Sequence, residues 1–205
     1  MESFVRVSGI AVPMMRINID TDQLTPGREL VRVHKKGEGY ARSLFSNLRY
    51  IGDRTPNPEF ILNQEPWSKG VFLLADRNFG CGSSRESAPK ALREYGFRAV
   101  IAPSFAGIFF SNSFRNGLLP VELAIEHVSE LARQMEAAKG HAEVTVDLRE
   151  ETVTAPDGTQ FSFRAPRVLR QMLLDGVDEI GVTLSRSAEI EAFRARDRVE
   201  RPWAY

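Results

Sequence analysis

The chain has 205 residues, with 27 basic and 27 acidic side chains and a formal net charge of zero. Balanced charge gives no support to a general role at nucleic acids or at anionic membrane surfaces, so any anion site has to be local. Hydrophobic residues make up 42% of the sequence, which is enough for the core of one large domain.

The sequence contains one cysteine, Cys81. A single cysteine cannot form an internal disulfide, which fits a reducing compartment, and it cannot supply the several thiolates that a metal cluster needs. Glu2 and Arg6 make the first residues unlike a signal peptide, and the dense apolar stretch 71–75 is far too short to span a membrane. We therefore expect a cytoplasmic protein.

Near the start of the chain, residues 3–12 alternate enough to predict one strand. A polar turn, Asp20-Thr21-Asp22-Gln23, follows. Residues 34–66 are polar, aromatic and rich in turn formers without a clear period. Long irregular segments inside compact domains are often functional.

The centre is the most regular part of the sequence. Residues 71–75 and 99–102 are apolar runs typical of buried strands, and 118–123 predicts a third. Between them, 84–95 and 104–115 have helical spacing. Alternation of strand and helix predicts a parallel α/β layer with crossover helices.

The last third has a different pattern. An amphipathic helix is predicted over 126–138, and alternating residues around 144–148 and 161–163, separated by a Pro156-Asp157-Gly158 turn, predict an antiparallel meander. One helix is expected from Pro166 to Gly176. A final helix is expected from about Ser187, and it runs into a charged tail.

The segment Phe79-Gly80-Cys81-Gly82-Ser83-Ser84-Arg85-Glu86-Ser87 lies between a predicted strand and a predicted helix. Ligands collect at the carboxyl ends of strands in open α/β sheets, and glycines allow close backbone approach. Two hydroxyls and the guanidinium of Arg85 near a helix start make a compact anion site, and Arg85 can hold a carboxylate bidentately. The alternative is an ordinary capping box formed by Ser83 and Glu86, and the two interpretations are compatible.

Three other motifs do not match this turn. A dinucleotide loop requires a glycine where Arg85 stands, and the acid expected about 20 residues later is missing. A phosphate-binding loop requires Gly-Lys-Ser or Gly-Lys-Thr, and a hydrolase elbow requires a glycine where Glu86 stands.

The Asp20 turn has two interpretations. It is either an Asx turn between strand and loop, or a site in which Asp20 or Asp22 orients Arg85. The remaining polar side chains are predicted to have structural roles. Ser104, Asn112 and Ser113 are expected to cap a packed helix and satisfy its hydrogen bonds. His127 and His141 are expected at the surface, and Cys81 is expected to pack in the glycine turn. The three histidines, which include His34, show no metal-binding spacing.

Five segments together resemble the small-subunit family of 3-isopropylmalate dehydratase, in the aconitase superfamily. They are Asn18 to Leu24, Asn78 to Glu86, Ala102 to Ala106, Asn112 to Phe114, and Gly117 to Val121. The resemblance extends from Phe4 to the last helix, and the Gly82-Ser83-Ser84-Arg85-Glu86 string with its flanks is highly specific.

The resemblance implies one swivelling β/β/α domain over 1–205 with a C-terminal helical extension. It implies a large partner subunit that carries a [4Fe–4S] cluster, and interconversion of 2-isopropylmalate and 3-isopropylmalate through an alkene in leucine synthesis. Ser83 is then the base, and Ser84 and Arg85 bind the substrate carboxylate and stabilise the Ser83 alkoxide. A serine becomes a usable base only where many donors surround it.

The sequence departs from the family at Ser87, where the family usually has histidine, and at Lys90, where it has tryptophan. These changes leave two alternatives open: a related dehydratase for another 2-hydroxy diacid such as citramalate, and a non-catalytic binding subunit. For substrate selection we expect a pocket from the segment 31–51. Its predicted lining is His34, Tyr40, Leu44, Phe45 and Leu48, and the alternative is a loop that docks the partner. Asp20, Thr21 and Asp22, in the turn before this segment, are predicted to contact substrate together with Ser84 and Arg85.

Overall fold

The computed structural model describes residues 1–36, 39–52 and 54–205, without the side chains of 34–36. Ten strands lie in these ranges: β1 Arg6–Gly9, β2 Ala11–Met14, β3 Tyr50–Ile51, β4 Thr55–Pro56, β5 Phe72–Ala75, β6 Ala99–Ala102, β7 Leu119–Glu122, β8 Val144–Asp147, β9 Thr152–Thr154 and β10 Gln160–Ser162. The same ranges hold nine α-helices: α1 Thr21–Leu24, α2 Gly27–Lys36, α3 Ser46–Arg49, α4 Ser87–Tyr95, α5 Gly107–Arg115, α6 Ile125–Ala137, α7 Arg167–Asp175, α8 Glu179–Leu184 and α9 Ser187–Glu200. Short 3₁₀ helices cover Tyr40–Arg42, Ile61–Asn63, Trp67–Lys69 and Pro202–Ala204.

A parallel sheet in the order β2-β5-β6-β7 confirms the predicted α/β layer. Strands β5 and β6 are buried along their whole length, because helices and loops cover both faces of the sheet. Phe72 and Leu74 face one hydrophobic cluster, while Leu73 and Ala75 face the other. The alternation of a strand thus divides the core into two layers on either side of one sheet.

The single strand predicted over 3–12 is wrong in one respect, because the chain changes sheets at Ile10. Strand β1 pairs antiparallel with β8, whereas β2 pairs parallel with β5. The carbonyl of Ile10 accepts hydrogen bonds from the backbone of Val71 and Phe72, at 2.9 and 3.0 Å. A Cβ at Gly9 would lie 2.5 Å from the Val71 side chain, so glycine permits this close crossing.

An antiparallel sheet in the order β1-β8-β9-β10 confirms the predicted meander. The Asp157-Gly158 turn joins β9 to β10, and β9 is a strand that the sequence analysis did not resolve. In α7, Pro166 is the N-cap and Gly176 the C-cap with φ of 69°, as predicted. Helix α9 begins at Ser187, also as predicted.

Two central helices begin later than predicted. Helix α4 begins at Ser87 rather than near residue 84, and α5 begins at Gly107 rather than at 104. The residues before each helix form tertiary contacts instead. Isolated parallel bridges pair Phe79 with Phe105 and Asp20 with Cys81, and these bridges bring three chain segments to one edge of the sheet.

The segment 34–66, predicted to be irregular, contains much local structure. Helix α2 enters it, and short helices, α3 and the β3–β4 hairpin occupy most of its described part. Residues 37, 38 and 53 lie outside the described ranges. Assignment of the whole chain to one domain with a helical extension stays a prediction.

Candidate active site

The site forms where the loop after β2 meets the loop after β5. The backbone N–H of Thr21 donates to the carbonyl of Cys81 at 2.9 Å, and its hydroxyl donates to the carbonyl of Ser83 at 2.8 Å. Thr21 is almost fully buried, at 1% exposure. These two bonds fix the Gly-rich turn against the Asp20 turn, so residues far apart in sequence share one surface.

Two glycines let the turn adopt its path. Gly80 has φ of 74°, and a Cβ there would lie 2.2 Å from the Phe109 ring. Gly82 has φ of 90° and packs against Asp20 and Thr21. Positive φ favours glycine, and at Gly80 the space also admits no side chain.

Arg85 is held from two sides by the Asp20 turn and the end of α1. Its Nη1 lies 2.6 Å from Asp22 Oδ1 and donates to the carbonyl of Thr25 at 2.9 Å. The Arg85 side chain is 24% exposed, while that of Asp22 is 60% exposed. The predicted contact between Asp22 and Arg85 is therefore present. Asp20 has a different position, because its carboxylate accepts from the Gln23 N–H at 2.7 Å and caps α1.

Ser83 and Ser84 are exposed and lie beside Arg85. A small cavity of about 130 Å³ is lined by Ser83, Ser84 and Arg85 together with Thr21, Gly80, Gly82, Ala106, Gly107, Ile108 and Phe109. Hydroxyls and a guanidinium form one wall, and apolar side chains from the start of α5 form the other. This arrangement suits a small acid with a carboxylate at one end and an alkyl group beside it.

The predicted capping box of Ser83 and Glu86 is wrong. Glu86 itself is the N-cap of α4, and within the described ranges its side chain makes no capping hydrogen bond. The Ser83 carbonyl instead accepts from Thr21, while the Arg85 carbonyl accepts from Ala88 N at 3.2 Å. Helix α4 therefore starts after Ser83 and Ser84. The hydrogen-bond donors that the turn offers to a ligand are the side chains of Ser83, Ser84 and Arg85.

Cys81 packs in the glycine turn, partly exposed. Burial, followed by the negative charge of Asp20, raises the pKa of its thiol. A neutral thiol is a weak nucleophile and a weak metal ligand, which agrees with the packing role predicted for this residue.

The proposed selectivity residues have other positions. Leu44 and Phe45 are 0% and 1% exposed and pack in the hydrophobic cluster around Phe79, so the structure does not bring them to an open pocket. Leu48 is partly buried against the same cluster. The side chain of His34 lies outside the described part of the structure.

Ser104, Ser113 and His127 make contacts of the structural kind that the sequence predicted. Ser104 Oγ accepts from the Asn78 N–H at 2.9 Å, and Ser113 Oγ donates to the Phe109 carbonyl at 2.8 Å. His127 stacks on Phe161 at the surface, with ring centroids 4.4 Å apart. These three contacts are structural, as predicted for Ser104, Ser113 and His127.

Sequence reasoning did not find the hydroxyl of Thr25. This residue is fully buried, and its Oγ1 lies 3.0 Å from Ser87 Oγ. A single threonine before Pro26 carries no periodic signal, so only its position beside Ser87 and Arg85 reveals it. The apolar wall at Ala106 and Ile108 was also missed, because those residues matched a helical pattern.

Comparison with known proteins identifies the family. The family model described as Aconitase C-terminal domain matches residues 1–126, and that described as LeuD_N matches 129–164. A protein of Cupriavidus necator, named 3-isopropylmalate dehydratase small subunit, is 47% identical over 100% of this chain and 99% of its own length. A protein of the same name from Dinoroseobacter shibae is 45% identical over 99% of this chain and 100% of its own.

The chain belongs to the 3-isopropylmalate dehydratase small-subunit family. A crystal structure described as 3-isopropylmalate dehydratase from Methanocaldococcus jannaschii matches it with a TM-score of 0.62 and 25% identity. The match covers 93% of this chain and 99% of the other. Membership in the family confirms the resemblance and the swivel-type α/β fold that the sequence predicted.

Two positions at which the sequence departs from the family pattern can now be placed. Ser87 is the first residue of α4 and contacts Thr25, two residues after Arg85. Lys90 forms an ion pair with Glu86 at 3.0 Å, one helical turn away on a partly exposed surface. Ser87 therefore adjoins the site. Lys90 makes only a local ion pair, which stabilises a helix by about 0.2–0.5 kcal/mol.

Within residues 1–36, 39–52 and 54–205, no group of three or more His, Cys, Asp or Glu side chains is placed to hold a metal ion. None of the helices in the same ranges combines the length and the apolar character needed to cross a membrane.

Proposed function

We propose that this chain is the small subunit of a two-subunit hydro-lyase that interconverts 2-isopropylmalate and 3-isopropylmalate in leucine synthesis. The observation that carries the proposal is the 45–47% identity, over essentially the full length, to proteins named as that subunit. The serine and arginine turn supports it with groups suited to a carboxylate substrate. The single cysteine is compatible with the cytoplasm as its location.

The reaction is an elimination followed by an addition. A base removes the proton from a carbon next to a carboxylate, and the C–H electron pair forms the alkene as the C–O bond on the neighbouring carbon breaks. The departing hydroxide takes up a proton from solvent and leaves as water. Water then adds back with its hydroxyl on the other carbon and a proton on the first. We propose that Ser83 is the base, since this residue is exposed and lines the cavity together with Arg85.

Arg85 is proposed to bind the substrate carboxylate. One of its nitrogens is occupied by Asp22 and Thr25, and a guanidinium has five N–H donors, so donors remain for the substrate. Ser84 lines the same cavity and is proposed to donate to the same carboxylate. Together, Arg85 and Ser84 stabilise negative charge near the Ser83 oxygen.

The expected [4Fe–4S] cluster does not fit the residues of this chain. Such a cluster is held by several cysteine thiolates, and the sequence offers only Cys81, whose raised pKa keeps the thiol protonated. We propose that the cluster belongs to a large partner subunit. Ser83, Ser84 and Arg85 are the groups that this chain itself supplies to the reaction.

A second candidate substrate class follows from Ser87. This hydroxyl stands near Arg85 where the family usually has a histidine, so a related 2-hydroxy diacid such as citramalate remains a proposal. Asp20 and Thr21 are proposed to shape the turn rather than to contact substrate, because their polar groups are bonded within the protein. Leu44 and Phe45 are proposed to support the site from the core.

The test is reconstitution with the large subunit, which is identified by co-purification. We expect the isolated chain to be colourless and inactive, and the assembled enzyme to act on isopropylmalate within a panel of 2-hydroxy diacids. Ser83→Ala should lower kcat by about 10²–10⁴-fold while assembly persists. Ser8→Ala, in the distant antiparallel sheet, is the control for removal of a serine hydroxyl.

Three results would contradict these proposals. An iron-containing, brown preparation of the isolated chain would place the cluster on this chain. Near-normal turnover by Ser83→Ala would assign the base to another group. A complex that assembles but turns over none of the diacids would favour a non-catalytic binding subunit.

A further inference from the structure

We infer that Thr25 and Ser87 are positioning residues, whose hydroxyl pair sets the place of the Arg85 guanidinium. The inference rests on the proposed function, because it assigns these two residues to the binding of a substrate carboxylate by Arg85. Neither hydroxyl lines the cavity that contains Ser83, so each acts through Arg85.

The Thr25 side chain is fixed on several sides. It is 0% exposed, and its Oγ1 donates to the Thr21 carbonyl at 3.2 Å and lies 3.0 Å from Ser87 Oγ. Its backbone N–H donates to the same Thr21 carbonyl at 2.9 Å. The backbone bond and the two hydroxyl contacts together hold Thr25 in place, and its backbone carbonyl faces Arg85.

That carbonyl is a direct partner of Arg85. The Arg85 Nη1 donates to it at 2.9 Å, and Ser87 follows Arg85 by two residues along the chain. A closed ring results: the backbone joins Arg85 to Ser87, a hydroxyl contact joins Ser87 to Thr25, and a hydrogen bond joins Thr25 back to Arg85. The ring ties the first residue of α4 to the end of α1.

The ion pair between Arg85 and its other partner, Asp22, holds the guanidinium less firmly. The Asp22 side chain is 60% exposed, and ion pairs in contact with water contribute little because solvent screens them. Asp22 also lies on the open side of the site, where it follows the arginine if the arginine moves. Loss of the Thr25–Ser87 contact therefore lets the guanidinium shift toward solvent, away from the position that a substrate carboxylate needs.

The test compares variants that remove a hydroxyl with variants that retain it, in the enzyme assembled with its large subunit. Ser87→Ala and Thr25→Val remove the contact, whereas Ser87→Thr and Thr25→Ser retain it. Loss of one hydrogen bond of this kind corresponds to a roughly threefold to tenfold effect. We expect a rise of that size in KM for isopropylmalate in the first two variants, and rescue in the second two.

A matched control exists elsewhere in the chain. Ser8 Oγ and Thr145 Oγ1 form an equivalent hydroxyl pair at 2.7 Å between β1 and β8. Ser8→Ala and Thr145→Val should leave KM unchanged. A purely structural role for Thr25 and Ser87 would lower the amount of active enzyme, and with it the apparent kcat, without a change in KM; that result overturns the inference.

A second measurement reads Arg85 directly. With ¹⁵N-arginine in this chain of the complex, the Arg85 Nε–Hε signal is assigned by its loss in Arg85→Lys. We expect Ser87→Ala to broaden or shift that signal and Ser8→Ala to leave it unchanged. An Arg85 signal that is identical in wild type and Ser87→Ala refutes the inference. If the wild type turns over no diacid, the proposed function fails, and this signal still decides the positioning role.

Discussion

Arg85 Nη1 and Asp22 Oδ1 lie 2.6 Å apart, although the two residues belong to loops that are far apart in the sequence. The contact joins the turn after the first parallel strand to the turn after the second. Since Arg85 Nη1 also donates to the Thr25 carbonyl, one nitrogen contacts two residues of the segment after β2. The charge on Asp22 therefore contributes to the orientation of the group proposed to bind substrate.

Replacement of Asp22 by asparagine tests this contribution. Asp22→Asn keeps the size of the side chain and an acceptor oxygen but removes the charge. Because the pair is partly exposed, we expect only a modest loss, about twofold to fivefold in kcat/KM, as is typical of screened ion pairs. Steady-state kinetics of the assembled enzyme is the measurement. Glu130→Gln, at the exposed Glu130–Arg133 pair on α6, is the control, and equal effects of the two variants would remove Asp22 from the site.

Gly80→Ala tests the fit of the turn. The new Cβ would lie 2.2 Å from the Phe109 ring, at a φ that disfavours alanine. Backbone strain and overpacking together should lower the free energy of unfolding by about 2–5 kcal/mol. Gly158→Ala is the matched control, since Gly158 also has positive φ but a Cβ there would meet no atom within 4 Å. Urea unfolding that affects both variants equally would contradict the role assigned to Phe109.

Leu44→Ala separates core packing from substrate selection. Leu44 is fully buried, so its truncation should cost about 2–5 kcal/mol of unfolding free energy. The ratio of kcat/KM for isopropylmalate to that for citramalate should stay constant. Leu48→Ala, at a partly buried position, is the comparison. A changed substrate ratio with little loss of stability would instead restore Leu44 to a binding pocket.

The raised pKa of Cys81 predicts how the reactivity of its thiol depends on pH. Burial and then the charge of Asp20 raise the pKa of the thiol, so the protonated form is favoured and less thiolate exists at pH 8 than in a free cysteine. Alkylation by iodoacetamide should therefore be slower than that of a free cysteine at that pH, and its acceleration should come at a higher pH than for a free cysteine. Asp20→Asn keeps an N-cap side chain but removes the charge, so it should speed alkylation. Reaction at pH 7 as fast as that of free cysteine would show that the pKa of the Cys81 thiol is not raised.

Some of the candidate site follows from local sequence. Asp22 and Arg85 are oppositely charged residues, each placed just after a predicted parallel strand, and carboxyl ends of parallel strands share one edge of a sheet. Their contact could therefore be predicted from the sequence. Thr25 and Ser87 are neutral hydroxyls without periodicity or charge, and nothing in the chain pairs them before it folds.

Apolar periodicity and contiguous motifs were enough to predict the parallel layer, the meander, the glycine turn and the family, because these signals are properties of neighbouring residues. The start of α4 depends instead on a long-range contact, since the Ser83 carbonyl bonds Thr21 rather than a helical N–H. The burial of Leu44 and Phe45 in the core likewise emerges only on folding. An apolar side chain in an irregular segment suits a pocket or a core equally well, and only packing against Phe79 and its neighbours selects between them.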